Sequence, residues 1–153
     1  MYCEINDITK DLNKTILFEL INDENRDTDL IDLDDENDVA TARAIEQITA
    51  ADVEIDTYLR SRYDLPITGT IPERLKQISK DISIYNLYKR RHKTDMPEDI
   101  VGFYKDRIKD LKEIQKGSID IGVPEAPQNM ADEIKVNKTS EDKVFSDDLL
   151  DQY

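Results

Sequence analysis

The chain has 153 residues, a formal net charge of −14 and a single cysteine. That length suits one domain with a modest core. The lone Cys3 excludes an internal disulfide and fits a reducing compartment. No stretch approaches the ~20 apolar residues that a membrane span needs, and no charged-then-apolar leader opens the chain.

The charge is unevenly placed. Asp23–Asp38 holds nine acids and one base, Gly117–Tyr153 nine acids and three bases, and the remainder seventeen of each. A neutral helical body therefore carries two acidic segments, both expected to be mobile. Such a chain does not attract DNA through its bulk field, although a local basic patch is compatible with it.

In chain order, Asn6 or Asp7 can cap a short helix bearing Ile8 and Leu12, and Thr15 can cap a second with Leu17, Phe18, Leu20 and Ile21 apolar. Residues 22–38 show no helical period and read as a loop. Asp38 is placed to cap a long helix over 39–63. There Ala51, Ile55, Tyr58, Leu59 and Arg62 share one face, Ala50 and Ala51 allow close approach of another helix, and Asp56 and Tyr58 lie four residues before Arg60 and Arg62. Pro66 bars Leu65 from helical geometry, which puts the stop between Arg62 and Leu65.

After a loop at 64–70, Thr70-Ile71-Pro72-Glu73 has the capping-box pattern. The helix that follows carries Leu75, Ile78, Ile82 and Tyr85 on one stripe, widened by Ile84, Leu87 and Tyr88. A stripe that wide implies burial on two sides, within the bundle or against another subunit. Pro97 opens the last helix, with Ile100, Tyr104, Ile108, Leu111 and Ile114 apolar and Gly117 as C-cap. Ser118–Val123 alternates, so Ile119 and Ile121 read as a lone strand that would need a partner chain. Residues 125–145 read as disordered. Leu149, Leu150 and Tyr153 then form a terminal apolar anchor that Ser146 can cap. The prediction is all-α: four or five helices in 1–117 with the acidic loop 23–38, a strand-like segment at 118–123, and a flexible acidic tail at 124–153.

Chemistry finds little footing. An EF-hand loop starting at Asp32 needs Gly at 37 and Glu at 43, where the chain has Asn37 and Arg43, so the acidic loop reads as solvated rather than as an ion site. One histidine, His92, makes neither a histidine metal cluster nor a catalytic triad. Tyr58, Tyr63, Tyr85, Tyr88 and Tyr104 fall on apolar helix faces and close core edges rather than stack on bases. The run Lys89-Arg90-Arg91-His92-Lys93 is favoured at a helix C-terminus by the macrodipole. Its functional uses would be facing DNA or pairing with the acidic loop of a neighbouring subunit. No cofactor or metal is implied, and enzymatic activity has no support.

One succession of motifs is more specific. Ala51-Asp52, Ile55-Asp56, Tyr58-Leu59, Arg62-Tyr63 and Leu65-Pro66 resemble the signature of the phage Mu-like small helical virion protein family. Met1-Tyr2-Cys3, Lys80 through Tyr88 into Arg90-Arg91, and Tyr104 through Lys116-Gly117 are similar to the same family, in its order, over residues 1 to about 123. The chain departs from the pattern in a longer acidic insertion and a tail of about thirty residues. The resemblance implies a structural head–tail connector (adaptor) in the virion neck, made in the bacterial cytoplasm. Its partners would be further copies of itself in a ring, the portal, and tail or head-completion proteins, with DNA passing through and no membrane. Asp56, Tyr58, Arg62, Lys89, Arg90, Arg91, Ile119, Ile121, Leu149, Leu150 and Tyr153 are the candidate interface residues. The alternative is an acidic regulatory or DNA-mimic protein that binds a host factor.

Overall fold

The computed structural model describes residues 1–92 and 95–127. They form five α-helices: α1 Ile5–Asp11, α2 Lys14–Ile21, α3 Val39–Leu59, α4 Glu73–Arg91 and α5 Glu98–Lys116, with one 3-10 turn at Thr28–Leu30. No strand occurs among the described residues.

The three long helices pack against one another, with α4 also carrying α1 and α2. The wide stripe on α4 explains this central place. Leu75, Ile78, Ile82, Ile84 and Leu87 are all buried, and burial on two sides is met within the bundle. One core cluster joins α1, α2 and the first half of α3 to Ile84 and Leu87. The other joins Ala51, Ile55 and Leu59 to Leu75, Ile78 and Ile82, with Leu111 and Ile114 of α5. The first half of α3 thus meets the second half of α4, and the reverse, so the pair runs antiparallel. Small side chains line the seam: Ala40, Ala44 and Ala51 on α3 and Ser79 and Ser83 on α4 are fully buried. Ala50, expected to share this role, is exposed.

Helix ends differ from the sequence reading in physically clear ways. Glu4, not Asn6 or Asp7, starts α1, because Asp7 accepts the Glu4 N–H in a reciprocal capping box. Asn13, two residues before Thr15, caps α2 by accepting the Thr15 N–H at 2.9 Å. At α4 the Thr70 box does not form; Pro72 stands at the N-cap position without a side-chain bond. The long helix ends at Leu59, where the Arg62 and Tyr63 N–H groups both turn back onto the Leu59 carbonyl. Asp38 at the start of α3 and Gly117 at the end of α5 cap as expected.

The acidic segment is ordered rather than loose. Asp38 accepts the Ala40 N–H at 2.8 Å and a two-pronged pair from Arg26 at 2.7 and 3.0 Å. Thr41 donates its hydroxyl to the Asp32 carbonyl at 2.8 Å. Ile31 is buried in the first core cluster. Ile31 and the Arg26–Asp38 pair help to fix a segment in which Asp27, Asp29, Asp32, Asp34 and Asp35 remain exposed.

Gly102 lies inside α5 and is exposed, and a Cβ built there meets nothing within 4 Å. Nothing in the packing of these residues asks for glycine, which costs about 0.5–1 kcal/mol in a helix interior relative to alanine. Gly102→Ala is therefore expected to stabilise the chain by about that amount, read as a higher denaturant midpoint at unchanged slope.

Candidate assembly surfaces

Three polar constellations organise the surface, and each uses residues of the signature segments. The first lies where the amino-terminal segment meets the α3–α4 seam. Tyr2 donates its N–H to Asp52 at 3.0 Å and its hydroxyl to Asp56 at 2.5 Å. Ser79 donates its hydroxyl to Asp52 at 2.8 Å, and the buried Cys3 thiol lies 3.3 Å from the Ser79 oxygen. Burial raises the Asp52 carboxyl above the ordinary range, and burial likewise raises the Cys3 thiol. Asp56 is half-buried and occupied by Tyr2.

The second constellation is at the far end of α3. Arg62 Nη1 donates to the Ile114 carbonyl at 2.8 Å, and its Nη2 pairs with Glu125. The guanidinium also sits 5.6 Å over the Tyr63 ring. Gly117, at φ +86, leaves the space that the guanidinium occupies, since a Cβ there would be 2.8 Å from Nη1. The Ala126 N–H donates to the Arg62 carbonyl at 2.8 Å. Arg62 therefore ties down the end of α5 and the chain beyond it, rather than meeting Tyr58 on the helix surface. Tyr58 packs at the edge of the second core cluster.

Ile119 and Ile121 take part in the same region. The alternation read there as a strand is a turn and coil. Gly122 adopts φ +73 and donates its N–H to Asp120 at 2.8 Å. Ile121 is 7% exposed, and both isoleucines pack on the cluster containing Tyr63 and Ile67. The segment finds its partner in its own domain, so the expected strand in trans is corrected. Leu149, Leu150, Tyr153, Lys93 and the expected disorder at 128–145 lie outside the described residues.

The third constellation joins the basic run to the acidic segment inside one chain. Arg90 donates to Asp23 at 2.6 and 2.9 Å, Arg91 donates to it at 2.5 Å, and Arg43 lies 3.2 Å from it. Arg43 also pairs with Glu24 and donates to the Ile21 carbonyl at 2.6 Å. The pairing expected across subunits is thus met in cis, because the segment after α2 folds back over the end of α4. Lys89 points elsewhere, 5.8 Å over Tyr85, which stacks on Tyr104 at 3.9 Å; Tyr104 donates to Glu54 at 2.8 Å.

These carboxylates give a pH signature with a definite sign. The Arg90 hydrogen bond holds Asp23 down at about 2, and the Arg26 hydrogen bond holds Asp38 at about 2. Groups depressed in the folded state contribute stability above their unfolded value near 4, lost as pH falls toward 2. Asp52 is raised instead, so its ionisation opposes folding at neutral pH, and protonating it relieves that strain. Thermal midpoints should hold or rise slightly down to pH about 4, then fall steeply. Asp23→Asn should flatten the acid limb; a limb identical to that of the unsubstituted chain would show that Asp23 carries no linkage.

Sequence reasoning missed the roles of Asp52 and Tyr2. Asp52 had a signal, being an acid on the otherwise apolar face opposite Ser79; Asp23 lay in the acidic loop expected to meet the basic run, but nothing local singled it out, because Arg90 and Arg91 lie 67 and 68 positions away. Among the described residues no group of three or more His, Cys, Asp or Glu converges as a metal set. No helix there is long and apolar enough to cross a membrane.

The fold and its polar ties define a small all-helical body held by buried isoleucine and leucine. The chain belongs to the bacteriophage Mu Gp36 family, whose model matches residues 2–138. The match takes in the acidic segment and runs past the 123 expected from the motifs. No curated protein matches the sequence.

Proposed function

We infer that this chain is a head–tail connector (adaptor) of a tailed phage or prophage, assembling as a homo-oligomeric ring between the portal of the head and the tail. Family membership across residues 2–138 carries this reading. The surface supports it: Leu30, Val39 and Val53 stay exposed on the single chain, Leu30 at 69%. Copies arranged by rotation bury such side chains against one another, and a heterologous contact that closes gives a ring. The role is assembly rather than catalysis, with DNA passing through the ring without base readout. Arg62, Arg90, Arg91 and Ile121 are already engaged within the chain, so their contribution to an interface is to shape it. Asp56, occupied by Tyr2, shapes the surface in the same way, and Tyr58, Lys89 and the tail residues Leu149, Leu150 and Tyr153 are the candidates for direct contact.

Electron microscopy of particles carrying a tagged copy tests the reading, with label expected as a ring at the neck. Label elsewhere, or none in the particle, overturns it. A regulatory or DNA-mimic role has one specific observation in its favour, the ordered display of Asp27, Asp29, Asp32, Asp34 and Asp35. That reading requires a stable monomer or dimer captured by a host protein and missing from the virion.

A further inference from the structure

A groove of about 320 Å³ runs along α4 between the end of α1 and the first half of α5. Leu12 and Ile84 form its buried floor, and Ile100 and Phe103 its wall, with Phe103 54% exposed. The rim is charged but already satisfied. Arg107 donates to Asp81 at 2.8 Å, Gln77 donates to Asp81 at 3.0 Å, and Lys80 pairs with Asp11 at 2.5 Å. What the groove lacks is apolar contact, not charge. A small anion or a basic peptide gains little there, whereas a few large apolar side chains gain the area that Phe103 and Ile100 leave open.

We propose that in the free chain this groove is covered by the same chain's carboxy-terminal segment, Phe145–Tyr153. That segment reads Phe-Ser-Asp-Asp-Leu-Leu-Asp-Gln-Tyr. With Ser146 as N-cap, Phe145 and Leu150 stand at the two positions that clasp a first helical turn, and Asp147 and Asp148 fall where the helix dipole favours acids. Leu149, Leu150 and Tyr153 then supply apolar contact, and the aspartates stay in water.

Reach decides between this chain's tail and a neighbour's. The tail leaves from Pro127, next to Ala126, which is bonded to Arg62 beside the end of α5. From Gly117 back to Phe103 is about 21 Å at 1.5 Å per residue. The roughly eighteen residues from Pro127 to Phe145 can reach at most about 60 Å at 3.3–3.6 Å per residue, so a span of this size is well within their length. A tether long enough to span its gap raises the local concentration of the segment toward about millimolar, far above that of a second copy in dilute solution. The tethered segment therefore occupies its own groove first. This docking concerns the free chain and does not require that the protein form a ring.

Amide spectra of the full chain and of a Leu149→Ser/Leu150→Ser variant test the proposal. Circular dichroism of the two should coincide. Shift differences should concentrate at Leu12, Ile84, Ile100 and Phe103, and persist unchanged over a dilution of about tenfold, as an intramolecular contact requires. Excess synthetic peptide of residues 145–153 should restore the groove shifts in the variant. Shifts that miss the groove, or peptide that restores nothing, overturn the proposal. Differences that vanish on dilution overturn it in favour of a neighbouring copy's tail. Sedimentation of the same samples reports ring formation separately, so a failure of the connector reading is distinguishable from a failure of docking.

Discussion

Ile55→Ala should lower the stability of the chain by about 2–5 kcal/mol, with a cooperative melt displaced to lower temperature. Ile55 is fully buried on α3 and belongs to the cluster formed with Leu75, Ile78 and Ile82 of α4 and Leu111 and Ile114 of α5. Truncation removes contacts to two helices at once and leaves a cavity. The neighbours cannot fill it cheaply, because Ala51 and Ser79, fully buried on the same seam, have little side chain to move into it. Against a total stability of about 5–15 kcal/mol, such a loss is a large fraction. Val53→Ala is the control: Val53 sits two residues away on the same helix and is 59% exposed. It should change stability by less than about 0.5 kcal/mol. Equal effects from the two substitutions, measured by denaturant titration, would mean that the face assignment of α3 is wrong.

The helices were legible because their information is local. Residues spaced at three and four along 75–88 and 100–114 point one way whatever else the chain does, and the core clusters are built from those residues. Caps were legible to within a few positions. Asn13 and Glu4 displaced Thr15 and Asn6 because several adjacent residues could each accept the free N–H groups. What the sequence could not reveal were contacts between distant residues. The acid-rich run after α2 has no period and too much charge to suggest order, yet Ile31 and the Arg26–Asp38 pair hold it. The complementarity of Arg90 and Arg91 with that run was visible in composition. Whether it would be met within one chain or between two depends on where α4 ends relative to α2, which only the fold decides. Alternation at Ser118–Val123 misled for a related reason: a coil lying across the cluster around Tyr63 and Ile67 can also bury alternate residues, with Gly122 supplying the bend.

Gly117→Ala should cost about 2 kcal/mol or more, and the loss should depend on Arg62. Two penalties meet at this residue. Its φ of +86 terminates α5 with the Ser118 N–H on the Glu113 carbonyl at 2.9 Å and its own N–H on the Ile114 carbonyl at 3.0 Å. A residue with a Cβ pays about 1–2 kcal/mol to stay in that left-handed conformation. The second penalty comes from the new methyl, which would lie 2.8 Å from Arg62 Nη1 and 3.0 Å from its Cζ. The guanidinium is not free to yield, since it donates to the other lone pair of the Ile114 carbonyl and pairs with Glu125. Displacing it sacrifices bonds to a charged donor, worth about 1.5–3 kcal/mol. Arg62→Ala alone should lose a comparable amount. In the double variant the methyl has nothing to strike, so only the conformational penalty of residue 117 is added. The cycle should therefore show a coupling of about 1 kcal/mol or more, with the double variant more stable than the sum of single losses predicts. Strict additivity would mean that the close approach of Arg62 to Gly117 is not what demands glycine. The whole cost at residue 117 would then belong to the backbone turn that ends α5.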